Sequence, residues 1–315
     1  MAQYTLLDQT SRSVPEIWFE EHLSRSDLEH ESLKSFSDSE VTQLKSYYRG
    51  EASADDAACA LTRPITDSSI YPLGGYSDHS RALSQLWGLL IDALIEWPPN
   101  HTPSLIALLL AIKEAPGHIH AGEATDDEEK PLSWSNLPYF DRVWSDNHWM
   151  SPGQITRRCP DTAARERARN VYIKQQDVEA QLVAALVFAE ETRALQYLVK
   201  TLEWEPQHDD HLDAADDSLA DSQIKLDFQI PAAARWMKHC GQDLYVSLLN
   251  NEMEGWDNLP SPVSFDKPVE RWSFWEKRLF AISWSGLDET TRKAAELAVG
   301  YMKAITDASS VKRSG

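Results

Sequence analysis

Basic residues are scarce in this chain. Its 315 residues carry 30 Lys+Arg against 50 Asp+Glu, a formal charge of −20 with histidine neutral. Neutralising phosphates needs a basic surface, and a field of this sign repels nucleic acid, so that partner class is excluded. Cysteine is equally sparse. Cys59, Cys159 and Cys240 are odd in number, widely spaced and without a Cys-x-x-Cys pair, which favours reduced thiols over a disulfide frame or structural zinc. No apolar run approaches the roughly 18 residues of a membrane span, and the best, Leu105 to Ile112, is far too short. The first twenty residues lack the basic, apolar and small-residue succession of a secretory signal. These absences predict a cytoplasmic protein with no membrane partner.

Glycine is also rare, at 12 residues, whereas Ala, Leu, Glu and Gln recur at helical spacing, so an all-α fold is expected. Ser37 to Glu40 reads as a capping box ahead of Val41, Leu44 and Tyr48, with a stop at Gly50. Ser53 opens a short helix predicted to end near Arg63-Pro64, because the residue before proline is pushed out of the helical region. Leu83, Leu86, Trp87, Leu90, Leu94 and Trp97 form a stripe closed by Pro98-Pro99. Thr102-Pro103 supplies a cap and an N1 proline for a helix over Ser104 to Glu114, apolar almost all round and therefore central. Ala115 to Pro131 reads as a loop, and Trp134 to Pro138 as a turn that plants one tryptophan in the core ahead of a short helix over Tyr139 to Trp149. Arg157 to Arg169 is a basic island expected to pair with acids. Val178 to Trp204 is the longest periodic segment, followed by a second acidic loop, Gln207 to Ser222. Helices are then predicted from Pro231 to Asn250, Val269 to Trp284 and Asp288 to Thr306. The sum is a single irregular multi-helix domain of about ten helices, with a two-lobed version left open.

No nucleophile elbow, phosphate-cradling glycine loop, dinucleotide fingerprint or His-Glu-x-x-His helix occurs, so no catalytic residue and no cofactor is assigned. His208 and His211, beside Asp209, Asp210 and Asp213, have the spacing to converge on a cation. No third ligand is fixed by the sequence, and no metal is assigned. His118 and His120 would share one side of a strand, but a loop is the expectation there. Glu190-Glu191 interrupts the long apolar run, and a solvated helix edge explains the pair. Cys240 shares a helix face with Trp236, four residues away, which indicates core packing. Arg235 and His239, also four apart, share a neighbouring face and are placed to flank a pocket. Trp272, Trp275, Leu279 and Ile282 form a buried stripe, and Arg271 is placed either to lie over Trp275 or to pair with an acid elsewhere.

Five segments in order, Ala60 to Ile65, Leu86-Trp87, Trp134 to Pro138, Ala232 to Trp236 with Gly241 and Leu244-Tyr245, and Glu270 to Trp275, resemble a fungal domain-of-unknown-function family of all-helical proteins. The resemblance covers roughly Asp55 to Met302. It implies fungal origin, a helical fold and an intracellular setting, and some members are encoded near secondary-metabolite genes. It carries no catalytic residues. The corresponding division is an N-terminal helical extension over 1–52, the family-like domain over 53–306 and a disordered tail over 307–315. The leading expectation is an accessory or cofactor-free tailoring protein that binds a hydrophobic small molecule through Arg235, Trp236, His239, Arg271, Trp272 and Trp275, since helical bundles commonly enclose ligands between facing helices. The alternative is a non-catalytic interaction or scaffold protein whose acidic surface meets a protein partner.

Overall fold

The computed structural model describes residues 14–25, 38–67, 76–119, 132–148, 150–188, 192–204, 225–250, 259 and 261–314. Twelve α-helices occur among them, with a two-residue antiparallel ladder as the sole sheet pairing, so the fold is all-α. The chain divides into two compact units, Met1–Asn147 and His148–Gly315. No described helix is long and apolar enough to cross a membrane.

The first unit contains α1 (Val14–Arg25), α2 (Asp38–Tyr48), α3 (Ala54–Thr66), α4 (Tyr76–Glu96), α5 (Thr102–Lys113) and α6 (Phe140–Asn147). Gly50, at φ +71, ends α2 as its position suggested. The Ser53 hydroxyl accepts from the Asp56 N–H at 3.1 Å and caps α3. Pro64 does not end that helix: Ile65, fully buried, and Thr66 continue it, because burial of Ile65 outweighs the local proline penalty. Thr102 lies inside α5 rather than capping it, since a 3₁₀ turn over Pro99–His101 runs directly into the helix. α5 packs against α3 and α4 with Leu105, Leu108, Leu109 and Ile112 buried, the central position its composition required. The loop reading after α5 is corrected at one point, for His118–Ile119 pairs with Leu132–Ser133. Trp134 is wholly buried in a 3₁₀ turn and donates to the Thr66 hydroxyl at 2.9 Å.

The second unit contains α7 (Pro152–Arg158), α8 (Thr162–Ala184), α9 (Thr192–Leu202), α10 (Leu226–Asn250), α11 (Pro268–Ser283) and α12 (Glu289–Ser314). α10 is its hub and packs against α8, α9, α11 and α12. It buries Ala232, Ala233 and Ala234, whose small side chains admit close neighbours. It starts five residues before the proline expected to open it. Gln229 Oε1 accepts from the Lys225 N–H at 2.8 Å, which secures the first turn and leaves Pro231 inside the helix. The periodic run from Val178 to Trp204 is two helices, not one. Leu186 adopts φ +57, and the Val187 N–H returns to the Leu182 carbonyl at 2.9 Å, closing α8 in a left-handed cap without glycine. α12 runs to Ser314, into the stretch read from sequence as a tail. The basic island pairs as expected, Arg165 with Asp227 at 2.7 Å and Arg169 with Asp288 at 3.8 Å.

Candidate functional site

The candidate site lies on the seam where α8, α9 and α10 meet. α8 and α10 ascend in the same sense, so their residues face each other rung by rung. On the first rung, the Trp236 indole N–H donates to Gln176 Oε1 at 2.9 Å. The next carries the pair left open by sequence spacing: His239 Nε2 lies 3.1 Å from Asp177 Oδ1, and Arg235 Nε lies 3.8 Å from the same oxygen. Gln181 donates to the other Asp177 oxygen at 3.0 Å. Burial alone would raise the Asp177 carboxyl, yet the His239 hydrogen bond and the charges of His239 and Arg235 together hold it below its ordinary value. On the third rung Cys240 donates to the Ala180 carbonyl at 3.2 Å, and burial pushes its thiol up to about 12, which makes it a packed core group rather than a nucleophile.

A hollow of about 330 Å³ opens beside the first rung, lined by Gln176, Glu179, Arg193, Gln196, Tyr197, Lys200 and Trp236. Tyr197 stacks on Trp236 with ring centroids 5.7 Å apart and planes 26° apart. The Tyr197 hydroxyl is tied to Tyr172 at 3.2 Å and to the Gln229 carbonyl at 3.3 Å, which fixes the ring. Arg193 pairs with Glu179 at 2.7 Å and lies over the Phe188 ring, so its charge is spent locally. Lys200 is exposed at the rim and has no acidic partner among the described residues.

Arg271, Trp272 and Trp275 occupy other settings. The Trp275 indole donates to Glu203 Oε1 at 2.9 Å, Arg271 Nη1 lies 3.4 Å from that oxygen, and the Ser261 hydroxyl donates to Glu203 Oε2. Arg271 takes the acid rather than the Trp275 face, and its guanidinium lies over Phe265 instead. Trp272 donates to the Thr306 hydroxyl at 3.2 Å and packs against Tyr245. The three tryptophans therefore bond to three different partners, on α8, on α12 and just after α9.

Asp177, Gln176, Tyr197, Lys200 and Glu203 were not singled out by sequence. One signal was available: Tyr172, Gln176, Glu179 and Val183 share a helix face at spacings of four, three and four, so two polar residues interrupt an otherwise apolar stripe. His208, His211, His120, Glu190 and Glu191 lie outside the described residues. No cluster of three or more His, Cys, Asp or Glu side chains placed to hold a metal occurs among the described residues.

A family described as a protein of unknown function, DUF3632, matches residues 87–279. No curated protein and no solved structure matches the chain.

Proposed function

The chain belongs to the DUF3632 family, whose description carries no activity, and we propose from its own side chains that it is a small-molecule-binding protein. The ligand class is a planar, largely apolar molecule with an anionic group, held in the hollow beside Trp236. The observation that carries this reading is the Tyr197 ring, stacked on the buried Trp236 with its hydroxyl locked, beside Lys200, whose cation has no acidic partner among the described residues. Aromatic faces favour planar apolar partners, and an exposed ammonium at the rim, in a chain of charge −20, selects the sign of the polar group. Arg235 and His239 flank this site through Asp177 and position α10 against α8. The wider setting, an accessory or cofactor-free tailoring protein of fungal secondary metabolism, rests on the motif resemblance.

Fluorine NMR of 5-fluorotryptophan-labelled protein tests the reading, with Trp236→Phe to assign the Trp236 signal. Titration with 2-naphthoate is expected to move that resonance saturably, and Lys200→Ala to weaken binding. A Trp236 signal that stays fixed through the titration would reject it.

A second reading, a non-catalytic interaction protein, has one observation in its favour. Phe280 on α11 and Trp284, which caps its C-terminal end, are 53% and 78% exposed, with ring centroids 6.3 Å apart. If these rings serve a second copy of the chain, sedimentation velocity will show a concentration-dependent dimer that Trp284→Ala abolishes. A monomer at all concentrations would remove this version.

A further inference from the structure

A second hollow lies further along the same seam, beyond the Cys240–Ala180 contact. It measures about 320 Å³ and is lined by Val183, Ala184, Leu186, Ala194, Cys240, Asp243, Leu244, Val246 and Ser247. Its chemistry is unlike that of the first. The walls are aliphatic, and the one ionisable group other than the Cys240 thiol is the carboxylate of Asp243, exposed at the rim without an ion-pair partner among the described residues. Two further features mark it as incomplete. Leu186 is held at φ +57, a region that costs a leucine roughly 1–2 kcal/mol, and its side chain is 64% exposed, so the strain is not repaid by apolar burial. Val246, across the opening, is 39% exposed. An aliphatic occupant would cover both.

We propose that this hollow binds an aliphatic ammonium ion, with its tail against Val183, Ala194 and Leu244 and its charged head at Asp243. The sign follows from the exposed Asp243 carboxylate, which has no ion-pair partner among the described residues, and the tail from the lining. The site is separate from the hollow at Trp236 and carries the opposite charge preference, so the two proposals stand or fall independently.

Calorimetric titration with n-octylammonium chloride tests it. One saturable site is expected, with n-hexylammonium weaker by about tenfold, since two buried methylenes are lost. Sodium octanoate, with the same tail and the opposite head, is expected to bind more weakly than octylammonium. Asp243→Asn should weaken octylammonium by roughly fivefold, the scale of an exposed charge pair. Glu289→Gln, which removes an exposed carboxylate on α12 already paired with Lys293, should leave it unchanged and so separates the site from general attraction to an acidic chain. Ala184→Phe places a ring in the hollow from an exposed position and should abolish binding, with circular dichroism confirming the fold. Absence of saturable binding, octanoate binding as tightly as octylammonium, an unchanged affinity in Asp243→Asn, or retained binding in Ala184→Phe would each overturn the proposal.

Discussion

Glu203 follows the last turn of α9, where the helix presents the negative end of its dipole, and it is only 1% exposed. Both circumstances oppose a carboxylate there. Arg271, Trp275 and Ser261 answer them with a charge and two hydrogen bonds. Removing one partner from such a pair leaves a buried charge uncompensated, so Arg271→Met is expected to cost about 3 kcal/mol, read as a lower urea midpoint. The pH dependence follows from the same geometry. Burial lifts the Glu203 carboxyl above its ordinary value of 4.5 despite Ser261, Arg271 and Trp275. The folded state then holds this proton more tightly than the unfolded chain does. The associated stabilisation is complete below 4.5 and is lost as the pH rises through the folded value. Urea midpoints measured across that window should fall with rising pH in the native protein, and Glu203→Gln should flatten this part of the profile. None of this was legible in the sequence, where Glu203 is one acid after an apolar run and its partners lie far along the chain. Asp177 was hidden in the same way. Arg235 and His239 announced a shared face by their spacing, but the carboxylate they meet sits on a different helix, and single-chain periodicity does not reach across elements.

At the scale of elements, the boundaries with chemical punctuation were readable. Ser53 caps, Gly50 stops, and the Ser-Asn-Leu-Pro turn after Trp134 buries its tryptophan, because each depends on residue types with strong local preferences. The break at Leu186 had no such mark. Apolar periodicity continues across it, and a leucine occupies the left-handed position where glycine is usual. Leu186→Gly is therefore expected to raise stability by about 0.5–1 kcal/mol, the relief of strain less the entropy glycine adds to the unfolded chain. A thermal melt would register this as a higher midpoint, and a lower one would mean that the leucine side chain contributes packing that outweighs the strain. Proline misled in the opposite direction. Pro64 and Pro231 both lie within helices, the first because Ile65 is buried beyond it and the second because Gln229 secures the turn before it.

At the scale of the whole molecule, the helical class was legible from composition, and the position of the division was not. The fold was read as one irregular all-α domain with a two-lobed version left open, and the all-α chain has two compact units that divide after Asn147. No composition shift marks that point; it falls between two short helices in a run without a linker signature. The family match begins within α4 and ends within α11, so it includes residues from both units. In the second unit everything converges on α10, and this centrality sets an order in time. A ribosome that has just released Asn250 has already supplied α8 and α9, but α11 and α12, which cover the remaining flanks of the hub, are still to be made. Chains elongate at about 5–20 residues per second, so for a few seconds the newborn protein exposes a strip of alanine, methionine and tyrosine with no cover of its own. Its maturation is thus tied to the synthesis of α11 and α12, and that interval is when a chaperone would find it.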